Sequence, residues 1–435
     1  MKKKKHITKK KKTYIILCFE IILIVSLIIG IVLYIFSRIN PVSRPAGQTI
    51  GESIEKQESM DKNRTENKII VQGEKIETHP EKMEEETESE KESEENVGLP
   101  ENTDETYKEG IKYIEPQNEE EVVLAFAGDI LFDDEYSIMA SMKQRSNGIY
   151  DTISADLLEE MTSADIFMLN NEFTYTLRGE PTPEKQFTFR ADPVEAEKLL
   201  DMGVDIVSLA NNHAYDYGEI SLLDSIDTLA AMQMPYVGAG RNLEEASRPF
   251  YFETEGMKIG ILSSTQIERL DNPDTKGATE NTAGVFRSWD GTLLYEKVEE
   301  VATQCDFLVV YVHWGSENTT ELDWAQKEQA RRLAESGADL VIGNHSHCLQ
   351  GIEIIEGVPV FYSLGNFLFN SKTLDTCLVK ATVKEGKISS LQFVPALQSG
   401  CKTKLLTGSE KTRVIEYMRT LSSGVQIDGN GFIYY

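Results

Sequence analysis

Apolar positions fall into three regimes along the chain. An unbroken apolar run covers residues 14–36, a stretch with few apolar clusters covers 37–118, and short apolar runs alternate with amphipathic segments from residue 119 onward. The first run predicts a helix of about 34 Å, long enough to cross a bilayer with some tilt. Glu20 is the single ionisable residue inside it, close to one end. The apolar core of a cleaved signal peptide is shorter and ends at small residues; this run closes with Tyr34-Ile35-Phe36-Ser37-Arg38. Eight lysines precede it, within residues 1–13. The pattern therefore reads as a basic cytoplasmic tail (1–13) and an uncleaved single-pass signal anchor (14–36), with the remainder outside the cell membrane.

Residues 37–118 are poor in aromatics and rich in Glu, Lys, Ser, Thr and Asn, and 81–95 is nearly all charge. Such a segment cannot bury enough apolar surface to fold, which predicts a disordered acidic tether.

From residue 119 to 435 the pattern predicts one folded unit. Strand-like runs recur at 122–127, 166–169, 205–209, 259–262, 307–312, 340–342 and 358–362. Helix-like stretches lie at 154–161, 193–202, 219–232, 293–303 and 324–336. This alternation predicts an α/β fold with a substantially parallel sheet. A hairpin follows, 378–383 and 388–394 around Glu385-Gly386, and a last helix at 410–421.

Charge narrows the function. The chain has 44 basic and 72 acidic side chains, a formal net charge of −28. Residues 1–40 carry nine basic groups and one acid, residues 41–120 ten basic and 23 acidic groups. The folded unit is thus strongly acidic, which argues against nucleic acid as a partner, because such binding needs Lys and Arg on phosphates. An acidic substrate would need a local cationic site. The five cysteines show no CxxC or zinc-finger spacing; Cys305, Cys348, Cys377 and Cys401 read as mostly buried free thiols rather than a disulfide framework.

The histidines carry the chemistry. Of six, His6 and His79 lie in the tail and tether; His213, His313, His345 and His347 each follow the end of a predicted strand. Asp129 and Glu172 follow two others. In α/β sheets, ligand sites gather at strand C-terminal ends. Mixed imidazole and carboxylate donors suit Zn, Mn or Fe, and His345-x-His347 can aim two rings to one side. Each residue alone could be structural, and Asp129 could cap a turn; that no histidine of the folded region lies elsewhere favours one metal or phosphate-type site. Glu317, four residues past His313, could orient a ligand or cap a helix. Asn366, after Ser363-Leu364-Gly365, could face a ligand or sit in a plain turn. Arg190 could clamp an anion or form a surface ion pair. No GxSxG, Walker or GxGxxG motif occurs.

Six motifs in order resemble the CapA family of poly-γ-glutamate capsule synthesis proteins. They are Ala127-Gly128-Asp129, Leu169-Asn170-Asn171-Glu172, Ser208-Leu209-Ala210-Asn211-Asn212-His213 with Asp216 and Gly218, His313-Trp314-Gly315-x-Glu317, Gly343-Asn344-His345-Ser346-His347, and Tyr362-Ser363-Leu364-Gly365-Asn366-Phe367. The resemblance runs from about Val122 to Pro395. It implies kinship with calcineurin-like metallophosphatases and a four-layer α/β/β/α sandwich with a divalent metal site at one edge. By that resemblance Asp129, Glu172 (as the bridging carboxylate), Asn212, His313, His345 and His347 are metal ligands and His213 is catalytic. Arg190, Asp216, Glu317 and Asn366 stand as substrate-contacting or supporting residues. The phosphatase pattern Asp-x-His is here Asp129-Ile130-Leu131, one histidine fewer.

The expected role is in production of poly-γ-glutamate or a related anionic surface polymer, with membrane subunits of a capsule synthase as expected partners. A metal would polarise a carbonyl or phosphoryl oxygen and activate water, with His213 as general acid. A non-catalytic, polymer-binding accessory subunit is the alternative.

Overall fold

The computed structural model describes residues 107–108, 110–267 and 275–435. The expected anchor at 14–36 and most of the expected tether lie outside the described residues. Among the described residues, no helix is long and apolar enough to cross a membrane.

Two eight-stranded mixed sheets form the framework. In one, Lys258–Thr265, Phe307–His313, Leu340–Asn344 and Val358–Phe361 run parallel, with antiparallel Phe250–Glu253 and Ile352–Ile355 outside them. In the other, Val122–Ile130, Ile166–Asn171, Ile206–Ser208 and Tyr236–Val237 run parallel. The long hairpin Leu374–Lys384 and Lys387–Gln398 continues that sheet antiparallel to Val122–Ile130. The short strand Asn366–Leu368 also pairs with Val122–Ile130.

Side-chain alternation makes this a sandwich of four layers. Leu124, Phe126, Ile166, Met168 and Ile206 of one sheet pack in one cluster with Ile259, Ile261, Phe307, Val309, Tyr311, Leu340 and Ile342 of the other. The intervening residues point outward to helices. Ala125, Phe167, Leu169 and Val207 meet Leu157 and Met161 of the helix Ala155–Thr162, and Leu222, Ile226 and Leu229 of Glu219–Ala231. Leu308, Val310, Val312 and Val341 meet Leu294, Val298 and Val301 of Thr292–Ala302, and Ala330 and Leu333 of Trp324–Glu335. Strands buried on both faces explain the continuous apolar runs.

Each predicted strand and helix has a counterpart, with ends shifted by a few residues. Residues 193–202 form a short 3-10 turn, Pro193–Ala196, leading into Glu197–Asp201. One boundary moves: the strand Ile111–Tyr113 lies within the stretch read as tether to residue 118, and pairs parallel with Phe250–Glu253. Three residues, the middle one Lys112, are too few to reveal a strand before its partner is known. Among the described cysteines, Cys377 and Cys401 are buried, Cys305 and Cys348 half-buried, and all four are free thiols.

Candidate metal centre

The parallel strands of both sheets end along one edge, and there the polar residues gather. Asp129 is the penultimate residue of Val122–Ile130, Glu172 follows Ile166–Asn171, and Asn212 and His213 lie in the turn after Ile206–Ser208. His313 closes its strand, His345 and His347 follow Leu340–Asn344, and Asn366 opens Asn366–Leu368. Close backbone approach makes this convergence possible. A Cβ on Gly128 would lie 1.7 Å from the Gly365 carbonyl oxygen, which accepts the Asp129 N–H at 3.1 Å. Only glycine fits there. His345 and His347 hold positive φ angles of 92° and 56°, a region that costs non-glycine residues energy and is retained where the surroundings enforce it.

The donor atoms form two groups that share one residue. Ligand atoms of Glu172, His313 and His345 lie within 4.8 Å of one another, and so do those of Asp129, Glu172 and His347. Glu172 Oε1 is 3.7 Å from His313 Nε2, 3.9 Å from His347 Nε2 and 4.0 Å from His213 Nε2. These are too long for hydrogen bonds. Accordingly Glu172 Oε1 and Asp129 Oδ2 are buried with no hydrogen-bond partner. His347 Nδ1 is 3.3 Å from Asp129 Oδ2 but makes its hydrogen bond with Asn366 Oδ1 at 2.8 Å. His313 Nε2 faces Asn212 Oδ1 at 2.9 Å and His345 Nδ1 at 3.0 Å. One ring proton cannot serve both.

Electrostatics point the same way. Burial, followed by the Asp129 charge, drives the Glu172 carboxyl well above the usual carboxylate range. Burial, then the neighbouring imidazoles, holds His313 and His345 well below the usual histidine range. Burial also pulls His347 down, but the Asp129 carboxylate beside it wins and raises it. The centre therefore presents neutral imidazoles at His313 and His345 beside two buried carboxyl oxygens, Asp129 Oδ2 and Glu172 Oε1, that no hydrogen bond satisfies. A buried charge in that state is costly unless it is paired or binds a metal. The residues present fit a divalent cation, with two adjoining donor sets bridged by Glu172. Imidazole, carboxylate and amide oxygen donors suit Zn, Mn or Fe.

His213 belongs to neither donor group. Its Nδ1 is 2.7 Å from Asp216 Oδ2, and the Phe189 ring lies 4.3 Å from its own. Burial lowers its pKa, with Asp216 opposing. Arg190 lies over the Tyr217 ring at 4.4 Å, and its main-chain N–H donates to Asp133 Oδ2 at 2.8 Å. Glu317 is exposed, and its charge raises both Glu172 and His347.

Two buried residues escaped the sequence reading. Asn170 Nδ2 donates to Asp129 Oδ1 at 2.8 Å and Glu172 Oε2 at 3.3 Å, tying the two carboxylates together. Its signal was its place in Asn170-Asn171-Glu172 at a strand end. Lys185 sits 2.5 Å from Asp216 Oδ1, and nothing in its neighbourhood of loop residues marks it.

Residues 123–371 match the family model described as "Bacterial capsule synthesis protein PGA_cap". The chain is 31% identical over 231 residues to the PGA biosynthesis protein CapA of Bacillus subtilis (strain 168), covering 52% of this chain and 59% of that protein. It is 27% identical over 237 residues to the capsule biosynthesis protein CapA of Bacillus anthracis, covering 53% and 57%. A probable polyglutamine synthesis accessory protein of Mycobacterium tuberculosis (strain ATCC 25618 / H37Rv) is 28% identical over 254 residues, covering 54% and 67%. The chain thus spans less than two thirds of the length of the two CapA proteins. Among solved structures, the 5'-nucleotidase from Candida albicans SC5314 is similar with 9% identity, covering 65% of this chain and 53% of that one, at a TM-score of 0.35. A Thermus thermophilus protein, TT1561, is similar with 10% identity, covering 60% and 98%, at 0.34. The family match extends over more than half of the chain and contains all six motifs of the strand-end site, so the chain belongs to the PGA_cap family of bacterial capsule synthesis proteins, the CapA family.

Proposed function

We propose that this chain acts in the synthesis of poly-γ-glutamate or a related anionic surface polymer, as a metal-dependent hydrolase or transferase on amide or phosphoester bonds. The fold is read as metallophosphatase-like. The protein is held in the cell membrane by residues 14–36 and carries its folded unit on the outer side, near membrane subunits of a synthase. The observation that carries the reading is the pair of donor groups sharing Glu172, with orphaned oxygens on Glu172 and Asp129.

In this reading Asp129, Glu172 and His347 would hold one divalent ion, and Glu172, His313 and His345 with Asn212 would supply donors for a second. A bound divalent metal supplies Lewis acidity and activation of water. Asp216 holds the proton of His213 at Nδ1, which leaves Nε2 to exchange a proton with the reacting groups. Asn170 keeps the two carboxylates in register, and Asn366 orients His347. Arg190 would offset part of the repulsion between a polyanion and an acidic domain.

A second reading, a non-catalytic polymer-binding subunit, draws on Leu131. It stands where the phosphatase pattern has histidine and is buried in the apolar core, so the first ion has one donor fewer.

Metal content of the purified full chain tests the proposal. Near-stoichiometric transition metal, lost in a His345→Ala/His347→Ala variant, is the expected result. Folded wild type that stays metal-free after incubation with Zn or Mn overturns the hydrolase reading. Assays on polyglutamate and phosphoesters with His213→Ala then separate the two: loss of turnover with metal retained supports catalysis, and absence of turnover in the wild type supports binding.

A further inference from the structure

A buried ammonium stands behind the turn that carries Asn212 and His213. The side chain of Lys185 is 4% exposed, and its partner Asp216 is fully buried. Lys185 Nζ is 2.5 Å from Asp216 Oδ1 and also donates to the main-chain carbonyl of Asn212. On its other oxygen, Asp216 meets His213 Nδ1 at 2.7 Å and accepts the Phe189 N–H at 2.6 Å. The Asp216 carbonyl accepts the Thr182 N–H at 2.8 Å. Lys185, Phe189 and Thr182 all come from the segment between the paired strands Thr174–Tyr175 and Arg190–Ala191. The segment is therefore docked onto the 212–216 turn through the Asp216 carboxylate and the main-chain carbonyls of Asn212, Tyr215 and Asp216.

A buried lysine gives up hydration and rotamer freedom, and persists where its donors are matched. Here two of its acceptors, the Asn212 carbonyl and the Asp216 carboxylate, flank His213. One fixes the backbone of Asn212, whose Oδ1 faces His313 Nε2 at 2.9 Å. The other fixes the carboxylate that holds His213 Nδ1. The charge of Lys185 also reaches Glu172, His313 and His345. Asp216 and Lys185 neutralise one another, so the carboxylate is free to accept from His213 without adding net charge to the site.

We propose that Lys185 is a positioning residue of the metal centre, holding Asn212 in ligand geometry through its carbonyl and His213 in a single orientation through Asp216. The inference rests on the metal reading given above. The rival role is a plain stability pair that staples the 176–189 loop.

The test uses the full chain with histidine labelled by 15N, titrated with Mn²⁺ and Zn²⁺. In Lys185→Met we expect metal affinity to fall ~10–100-fold, the usual cost of removing a group that supports ligands. We also expect loss of the Nδ1–H resonance of His213, with circular dichroism unchanged and both signals partly regained in Lys185→Arg. Asp339→Ala, at the opposite end of the sheets, should keep both. Wild-type affinity and resonance in a folded Lys185→Met overturn the proposal. Should Lys185→Met not fold, Lys185→Gln, which keeps a donor without the charge, takes its place under the same criteria. A chain that folds with neither substitution assigns Lys185 to stability and overturns the proposal as well. A wild type that binds neither ion fails the metal reading instead, and the resonance, which needs no metal, still decides whether Lys185 holds His213.

Discussion

The two ends of the same parallel strands use acidic residues in opposite ways. Asp165, Asp205, Asp306 and Asp339 each precede a strand and accept the main-chain N–H of the first or second residue of the neighbouring strand. Asp165 receives Val123, Asp205 receives Phe167, Asp306 receives Lys258 and Asp339 receives Leu308, at 2.8–3.0 Å. Asp165 takes the Gln117 N–H as well, at 2.8 Å. At the other end, Asp129 and Glu172 keep one oxygen each without a partner. Acids at the strand starts are satisfied by the fold. Those at the strand ends are satisfied only in part, by Asn170, and the remainder is directed at each other and at imidazoles. The two ends differ in that Asp129 and Glu172 each bury a carboxyl oxygen without a partner, which is expensive.

The largest test of that contrast is Glu172→Gln, which keeps shape and removes the charge shared by both donor groups. Metal affinity measured by calorimetry should fall by at least ~100-fold, the upper end of what losing a supporting group costs. The melting temperature of the metal-free chain should hold, because Gln keeps the shape and the oxygen that Asn170 meets, and Glu172 Oε1 has no partner to lose. A clear drop would make Glu172 structural and erase the contrast.

Gly128→Ala comes next. Its new Cβ would meet the Gly365 carbonyl at 1.7 Å, so the strand and the 363–366 turn must part. A loss of about 3 kcal/mol is expected in urea unfolding, near the top of the overpacking range, together with weakened metal binding.

Asp165→Ala probes the opposite end. The N–H groups of Val123 and Gln117 lose their acceptor, at a cost of about 2 kcal/mol. Metal affinity should not move; if it does, the two ends are coupled.

The smallest effect is one of pH. Burial raises the Asp339 carboxyl, against the Leu308 N–H that lowers it. A carboxyl raised in the fold stabilises below its unfolded value of about 3.9, and that share is lost as pH rises through the folded value. Asp339→Asn retains an acceptor oxygen and does not titrate. Its stability relative to wild type should therefore improve as pH rises from below 4 toward neutrality, seen as a shifting difference in urea midpoints.

Much of this architecture was legible beforehand. Runs such as 307–312 and 340–342 announce strands buried on both faces, because only a covered parallel sheet tolerates unbroken apolar sequence. The amphipathic stretches 219–232 and 324–336 announce the covering helices. Phe250–Glu253 and Ile111–Tyr113 were not read as strands, since four and three residues acquire strand geometry from their partners and not from their own pattern. That Asp129, Glu172, Asn212, His313, His345 and His347 lie at strand ends was legible from position and motif, and the structure brings them to one edge. Asn170 was overlooked beside Glu172, and Lys185 had no signal at all.

Local order along the chain thus sufficed to specify which segments are strands and helices, and that four histidines and two acids fall at strand ends. Both follow from periodicity, which depends on residues a few positions apart. Which atoms meet was settled only by packing. That Glu172 is shared by two donor groups, that Asn366 rather than Asp129 takes the His347 hydrogen bond, and that a lysine from a loop reaches the carboxylate behind His213 all depend on contacts between distant segments. Those contacts exist because two sheets bury their apolar faces against one another and bring their strand ends to one edge.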